Sequence, residues 1–212
     1  MLRVSAPVVG LTGGIATGKS LVAGFFREMG AAVVDADELA RQVTAPGEPA
    51  LAEIRRVFGP GVFTPEGELD RRALGRVVFA DPEKRRALER IVHPRVRQRL
   101  EEAVARFQAA GAPLIVLEIP LLFEAGEPLL RLIDWVVVVT APEAVQLERL
   151  KARNGLTEAE ARARMAAQMP LAEKVKRADY LVDNGGSPEE TRRQVAHIWE
   201  AMRRADRADR PR

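Results

Sequence analysis

The sequence predicts an α/β fold in which helices cover both faces of a parallel sheet of five strands, a three-layer α/β/α arrangement. Three observations support this class: short apolar runs recur along the chain, helical periodicity separates them, and a glycine-rich loop follows the first run. Runs that are apolar on both faces are typical of strands buried within a parallel sheet. The predicted strands cover residues 4–11, 31–34, 114–117, 135–139 and 180–182.

Chain length and composition favour a single core with insertions, because 212 residues are many for one minimal domain and few for two. Hydrophobic residues make up 47% of the chain, which is sufficient for such a core. The sequence has no cysteine, which excludes disulfides and thiolate-held metals and favours a reducing, cytoplasmic environment. The first residues lead directly into a predicted strand, so we expect no separate signal peptide.

The charge pattern indicates that neither nucleic acid nor a membrane is a partner. The formal net charge is only +3, and most basic residues are arginines. Aromatic residues are few and scattered, unlike those of a nucleic-acid-binding stripe. Charged residues interrupt the two most apolar stretches, 114–123 and 129–140, so neither is expected to cross a membrane. We expect a monomer or a weak homo-oligomer.

The glycine-rich loop over residues 13–20 fits the phosphate-binding pattern G-x-x-x-x-G-K-[ST]. Its glycines allow backbone N–H groups to surround phosphate oxygens, and a helix predicted over 18–29 directs its positive end to the same anion. Lys19 can reach the β- and γ-phosphates of ATP, and the Ser20 hydroxyl can bind Mg²⁺. The expected ATP contacts are the loop and the next residue: Gly13, Gly14, Ile15, Ala16, Thr17, Gly18, Lys19, Ser20 and Leu21.

A long helical insertion separates the second and third predicted strands. Residues 38–110 contain helical patterns and no convincing strand, so we interpret them as an inserted subdomain. Helices are predicted over 70–80 and 81–92, and a further helix begins at Pro94. The core is then predicted to comprise residues 1–37, 111–148 and 178–202.

A second insertion, residues 149–177, contains a short basic helical pair. Its first helix stops at Asn154-Gly155, and Thr157 with Glu160 forms the pattern of a capping box at the start of the next. The pair is interpreted either as a mobile lid or as a surface hairpin with solvated charges. The charged tail 203–212 has no apolar face and is expected to be frayed or disordered.

Carboxylates end two predicted strands, at the edge where parallel sheets bind their ligands. Asp35 ends the second strand, which we expect to lie next to the first, and there it can accept the proton of a hydroxyl that attacks the γ-phosphate. Asp37 competes for this role, but its place at a helix start is explained by capping. Either aspartate can instead hold Mg²⁺ through water. Glu118 is a metal-shell candidate or merely the end of the third strand.

Two arginines and two histidines are ambiguous on pattern alone. Arg149 and Arg153 lie one helical turn apart, so they can clamp the transferring phosphoryl group together or remain solvated. His93, which precedes Pro94, is typical of a turn, and His197 in the last amphipathic helix is typical of a structural residue.

Several short segments carry a likeness to a known family. They cover residues 10–15, 18–20, 34–37, 40–41, 69–75, 78–79, 91–94, 119–124, 146–149, 153, 164–168 and 178–184. In this order they resemble the dephospho-coenzyme A kinases, up to about residue 200. The phosphate loop is shared with a large superfamily, whereas the Asp-Ala-Asp, His-Pro and Pro-Leu-Leu-Phe-Glu segments are much more specific.

The resemblance implies that ATP phosphorylates the 3′-hydroxyl of dephospho-coenzyme A, the final step of coenzyme A synthesis. It implies a catalytic base at Asp35, in agreement with its position, and lid arginines at Arg149 and Arg153. The catalytic residues are then expected to be Asp35, Lys19 and Arg149. Arg149, Arg153 and Asn184 are expected to add to the ATP contacts, and the coenzyme A substrate is expected to contact Asp35, Asp37, Arg71, His93 and Pro94.

Two loop residues depart from the family pattern. Ala16 stands where many members have glycine, and Leu21 stands where many have threonine. Neither removes a backbone phosphate ligand or the Mg²⁺-binding hydroxyl, so we expect the activity to be retained.

Two other functions compete with this interpretation. One is a kinase for another small acceptor, such as a nucleotide, and the other is a GTP-binding switch. The sequence lacks the Asn-Lys-x-Asp motif that binds guanine. Asp183-Asn184-Gly185-Gly186 matches D-x-x-G, but it follows the last strand, whereas a GTP-binding switch has this motif after the third.

Overall fold

A computed structural model describes residues 6–205 of the protein, apart from the side chain of Asn154. The chain forms two compact units. One unit comprises the residues up to Asp35 and those from Ala103 onward, and the other comprises Ala36–Glu102. The predicted tail lies largely outside the described residues, but Arg203 and Arg204 still belong to the last helix, contrary to the prediction that they fray.

The first unit contains a parallel sheet of five strands, which confirms the predicted α/β fold. Every strand pair is parallel, and the order across the sheet is β2-β3-β1-β4-β5. The strands are β1 (Val8–Gly13), β2 (Ala32–Asp35), β3 (Ile115–Glu118), β4 (Trp135–Thr140) and β5 (Tyr180–Asp183). Within the described residues the first strand begins at Val8 and extends to Gly13, and residues 4 and 5 of the predicted strand lie outside them.

The expectation that β2 lies next to β1 was wrong, because β3 pairs with both of them. Burial explains the order. All four residues of β3 are buried, as a central strand requires, whereas β2 and β5 keep partly exposed residues, as edge strands do. Although β2 is closer to β1 in the chain, β3 thus takes the more buried position beside it.

Helices pack against both faces of the sheet in the first unit. The helices that lie wholly in this unit are α1 (Lys19–Glu28), α6 (Leu122–Ala125), α7 (Glu127–Leu130), α8 (Glu143–Asn154), α9 (Glu158–Ala166), α10 (Leu171–Val175) and α11 (Pro188–Arg204). On one face, Phe26 of α1 and Trp199 of α11 share a buried core with β1 and β4. On the other, a side chain at Gly10 would collide with Leu122 and Ile133, so glycine permits their close packing.

The signals predicted around residue 155 are confirmed. Helix α8 ends at Asn154, and the next residue, Gly155, has a φ of 62°, the left-handed conformation typical of a helix C-terminus. Thr157 and Glu160 form the predicted capping box of α9. The short helices α6 and α7 were not predicted, because four residues are too few to show helical periodicity.

The second unit is helical and has its own core. It contains α2 (Ala36–Gln42), α3 (Pro49–Phe58), α4 (Arg71–Ala80), a 3₁₀ turn (Pro60–Val62) and most of α5 (Pro82–Ala109). This core contains a cluster of buried apolar residues, Ala50, Ile54, Val62, Leu74 and Ile91. The carboxylate of Asp70 accepts hydrogen bonds from the first N–H groups of α4, as an N-cap does.

Helix α5 continues through Pro94, so the predicted new helix start and the turn at His93 were both wrong. Proline cannot donate to the carbonyl four residues earlier. The neighbouring carbonyl of Ile91 receives an additional donor, Nη1 of Arg95, at 2.6 Å. Ile91 and Val96 are buried on either side of the proline, which indicates that packing offsets the lost backbone bond.

A buried ion pair fastens the end of the predicted lid to the segment after β3. The Nζ of Lys174, fully buried, lies 2.9 Å from Oε1 of Glu124 and donates to the carbonyl of Pro120 at 3.2 Å. The same Glu124 oxygen accepts from the N–H of Met169 at 3.0 Å. The segment 169–174 is therefore tied to the core, in contrast to the exposed helix α9 before it.

Replacing Lys174 by methionine is expected to lower the free energy of unfolding by about 3 kcal/mol, because Glu124 and the Pro120 carbonyl lose their buried donor. Urea unfolding followed by circular dichroism measures the change. Lys151→Met, at a partly exposed lysine of α8, is the matched control and is expected to change the value by less than about 0.5 kcal/mol. Equal stability of the two variants would contradict the assigned role of the ion pair.

Candidate active site

The carboxyl ends of the strands bring the predicted site residues of the first unit to one edge of the sheet. Asp35 at the end of β2 is in register with Glu118 at the end of β3, and Glu118 is in register with Leu11 of β1. The phosphate loop follows β1 directly. Two carboxylates therefore lie on consecutive strands beside the loop, which is the edge where open α/β sheets bind ligands.

The loop has the backbone conformation that phosphate binding requires. Gly18 has φ 91° and stands at the N-cap position of α1, so the positive end of this helix faces the interior of the loop. Ala16 has φ 59°, the left-handed conformation, at a cost of about 1 kcal/mol for a residue with a Cβ. The departure from glycine at position 16 thus leaves the loop conformation in place.

Lys19 lies across the loop, where its Nζ donates to the carbonyl of Gly14 at 2.9 Å. Thr17 donates its hydroxyl to the same carbonyl at 2.9 Å and is fully buried. These bonds close the loop on itself and place the ammonium group at its centre, where phosphate oxygens would bind. Leu21, by contrast, is 39% exposed at the start of α1 and is not part of the apolar core.

Ser20 and Glu118 bring a hydroxyl oxygen and a carboxylate oxygen together at the site. The Ser20 hydroxyl donates to Oε1 of Glu118 at 2.8 Å, and Glu118 is only 7% exposed. Mg²⁺ prefers oxygen ligands and retains several waters, so a hydroxyl beside a buried carboxylate suits it. No group of three or more acidic, histidine or cysteine side chains suited to a metal occurs within residues 6–205. A metal here would therefore depend on phosphate oxygens for further ligands.

Arg149 contacts the loop, whereas Arg153 is exposed near the end of α8. Nη1 of Arg149 lies 3.4 Å from the carbonyls of Ala16 and Thr17, and its Nη2 donates to the carbonyl of Asn184 at 3.0 Å. Arg149 and Arg153 were predicted to act together, and only Arg149 contacts the loop in the structure.

Asn184 follows β5 and is 2% exposed. Its Nδ2 donates to the carbonyl of Thr17 at 2.7 Å, and its Oδ1 accepts from the hydroxyl of Thr191 at 2.9 Å. Thr191 lies in the first turns of α11, whose N-terminus is held by a capping box. Hydrogen bonds from the backbone and hydroxyl of Ser187 lower the pKa of Glu190 in that box.

A cavity of about 520 Å³ lies beside the loop in the first unit. Gly14 and Ile15 form one wall, and residues 165–166 and 168–171 form another. Gln146 and Gln168 supply amide groups to the lining, and the buried Oε1 of Gln168 has no hydrogen-bond partner among the described residues. Residues of the predicted lid therefore line a half-open cavity next to the phosphate loop.

The remaining predicted substrate residues belong to the second unit. Asp37 lies inside the first turn of α2, which begins at Ala36, so it is not the cap that the sequence suggested. The Nη2 of Arg71 donates to Thr44 Oγ1 at 3.0 Å. His93 and Pro94 are exposed on α5 beside a shallow cavity of about 300 Å³.

Sequence reasoning missed three buried polar residues that lie outside the phosphate-loop motif. Thr191, Gln146 and Lys174 were not selected, because each is a common residue within a helix. Glu118 was considered, but its hydrogen bond to Ser20 was not foreseen. The signal that was available is positional: Glu118 ends a strand whose apolar residues predict a place in the sheet centre.

The model of the dephospho-CoA kinase family matches residues 7–190. The chain belongs to this family. Two dephospho-CoA kinases are among its relatives. The enzyme of Anaeromyxobacter dehalogenans is 58% identical over 86% of this chain and 85% of its own, and that of Geobacillus kaustophilus is 52% identical over 92% and 97%.

Solved structures agree with this membership of the dephospho-CoA kinase family. A crystal structure of a Thermus thermophilus protein superposes with a TM-score of 0.81 at 41% identity, covering 93% of this chain and 98% of that one. The dephospho-CoA kinase of Campylobacter jejuni gives 0.61 at 26% identity, over 93% and 97%. Among the described residues, no helix is both long enough and apolar enough to cross a membrane.

Proposed function

We propose that this member of the dephospho-CoA kinase family transfers the γ-phosphoryl group of ATP to the 3′-hydroxyl of dephospho-coenzyme A. The observation that carries the proposal is the register of Asp35 with Glu118, which sets a carboxylate at the sheet edge that bears the phosphate loop. Phosphoryl transfer needs chiefly alignment, charge neutralisation and a group that receives the proton of the hydroxyl. The loop meets the first two needs, and Asp35 meets the third.

Three residues share the catalytic work in this proposal. Asp35, half-buried at the end of β2, orients the acceptor hydroxyl and takes its proton as the bond to phosphorus forms. Lys19 binds the β- and γ-phosphate oxygens in place of its present contact with Gly14. Arg149 holds the loop through the carbonyls of Ala16 and Thr17 and adds positive charge beside it. Arg153, in the exposed part of the same helix, is proposed to reach the phosphates from the lid.

Mg²⁺ is proposed as the metal that accompanies ATP. Ser20 would bind it through its hydroxyl, and Glu118 would hold one of its waters, since both oxygens already face each other at 2.8 Å. When bound, the ion neutralises charge on the β- and γ-phosphates.

The two insertions are proposed to serve the substrates. Residues 149–177 would act as a lid that limits access of water, a role supported by their contribution to the cavity beside Gly14. Residues 38–110 would form the coenzyme A subdomain, with Asp37, Arg71, His93 and Pro94 among its contacts. We further propose that the protein works in the cytoplasm as a monomer or a weak homo-oligomer.

The test is release of ADP from ATP with dephospho-coenzyme A as acceptor, in parallel with nucleoside monophosphates and shikimate. Strong preference for dephospho-coenzyme A is expected, together with loss of turnover when EDTA removes Mg²⁺. Mass spectrometry of the product shows the gain of one phosphoryl group, and NMR locates that group on the 3′-oxygen. Preference for another alcohol would refute the assignment of substrate, and turnover in EDTA would refute the assignment of the metal.

A further inference from the structure

The side chain of Asn184 faces the outer side of the phosphate loop and hydrogen-bonds protein groups through both of its polar atoms. A carbonyl only accepts hydrogen bonds, so the atom 2.7 Å from the Thr17 carbonyl is the amide nitrogen. The amide oxygen then faces the Thr191 hydroxyl at 2.9 Å. Both polar atoms of the side chain are therefore engaged within a buried contact, because Asn184 and Thr191 are 2% and 0% exposed.

The bond to Thr17 controls the direction of one peptide group. In a planar trans peptide the C=O and N–H bonds point in opposite directions. Because Asn184 holds the Thr17 carbonyl on the outer side, the N–H of Gly18 points to the inner side, where the loop surrounds its anion. The fit is close: a Cβ at Gly18 would overlap Nδ2 of Asn184.

We infer that Asn184 is a positioning residue: it fixes the direction of the Gly18 N–H so that this group can bind phosphate, and it makes no contact with ATP itself. Thr191 in turn holds the Asn184 amide in the one orientation that presents its N–H₂ group to the Thr17 carbonyl. This replaces the expectation that Asn184 is an ATP ligand. Because the inference rests on the proposed binding of ATP at this loop, its experiment must separate the two.

Asn184→Asp provides the direct test, because it keeps the shape and the acceptor for Thr191 but removes the donor to Thr17. The probes are ATP and inorganic tripolyphosphate, which has neither base nor ribose, each titrated calorimetrically into the full chain. Both affinities are expected to fall by the same factor, roughly tenfold. If ATP binding weakened while tripolyphosphate binding did not, Asn184 would be a ligand of the nucleoside and the inference would be wrong.

Two variants of Thr191 provide a second test, which remains valid if Asn184→Asp fails to fold. Thr191→Val removes the hydroxyl at nearly constant volume and is expected to weaken tripolyphosphate binding roughly threefold to tenfold. Thr191→Ser keeps the hydroxyl and is expected to bind almost as tightly as the unmodified protein. Equal affinities for the valine and serine variants would overturn the inference.

Gln194→Ala is the matched control on the same helix. Its amide hydrogen-bonds the backbone of Asp183 at 2.9 Å twice and does not contact the loop. Its tripolyphosphate affinity is expected to be unchanged. A loss as large as that of Thr191→Val would show a general loosening of β5 and α11, and would overturn the specific role of Asn184.

Steady-state kinetics separates positioning from general stability. In Thr191→Val the KM for ATP is expected to rise while the KM for dephospho-coenzyme A stays constant; a parallel rise of both would contradict the inference. Failure of the unmodified protein to bind ATP or tripolyphosphate would overturn both proposals. Normal turnover with dephospho-coenzyme A, combined with undiminished tripolyphosphate binding by both Asn184→Asp and Thr191→Val, would overturn only this one.

Discussion

Asp35→Asn is expected to lower kcat for phosphorylation of dephospho-coenzyme A by a factor of about 10² to 10⁴. The amide keeps the size of the side chain at the end of β2 but cannot take the proton of the attacking hydroxyl. Binding of ATP is expected to change little, because the loop belongs to β1 and α1. Rapid-quench measurement of the chemical step, with calorimetric titration of ATP, tests both statements.

Asp37→Asn distinguishes the two aspartates of the Asp-Ala-Asp segment. Asp37 lies in the first turn of α2 and is exposed, so its amide variant is expected to retain most of kcat. An effect on the KM for dephospho-coenzyme A would agree with its proposed place among the substrate contacts. If Asp37→Asn lost kcat and Asp35→Asn kept it, the base would have to be reassigned.

Lys19→Met is expected to reduce kcat/KM for ATP by a factor of about 10² to 10³. Methionine retains much of the side-chain length but removes the charge from the centre of the loop, together with the contact to the Gly14 carbonyl. Lys19→Arg keeps a charge but replaces a compact ammonium with a planar group, so partial activity is expected. Initial rates over a range of ATP concentrations provide the measurement.

Arg27→Met is the control for this prediction. It removes a positive charge from the exposed last turn of the same helix, at the end opposite the loop. Its kcat/KM for ATP is expected to stay within about twofold of the unmodified value, since surface charges are screened. A loss comparable to that of Lys19→Met would mean that the net charge of the unit, and not contact with phosphate, controls the rate.

Local patterns were sufficient to predict the loop, the strands and several helix ends. The Gly-Lys-Ser segment, the apolar run of β4 and the capping box at Thr157 each depend on residues that are close in the chain. The order of the strands depends instead on which apolar run is buried most completely. Because β3 is more completely buried than β2, β3 is the neighbour of β1.

Contacts between distant residues account for most of what was missed in the site. The residues near Thr17 in the sequence do not indicate that its carbonyl accepts a hydrogen bond from the amide of Asn184, 167 residues later. The continuity of α5 through Pro94 was missed for a similar reason, because local proline chemistry favours a break and only burial on both sides explains the helix. Contacts that residues distant in the chain make with the site therefore cannot be predicted from local sequence patterns.

The same remoteness has a consequence for synthesis of the protein. Lys19 leaves the ribosome early, yet β1 finds its sheet partners only after β3 and β4 have been made, more than a hundred residues later. The helical unit Ala36–Glu102 is continuous in the chain, so its core can assemble before that. The phosphate loop obtains its last support only when Asn184 and Thr191 have emerged. ATP binding by nascent chains is therefore expected to appear only near full length.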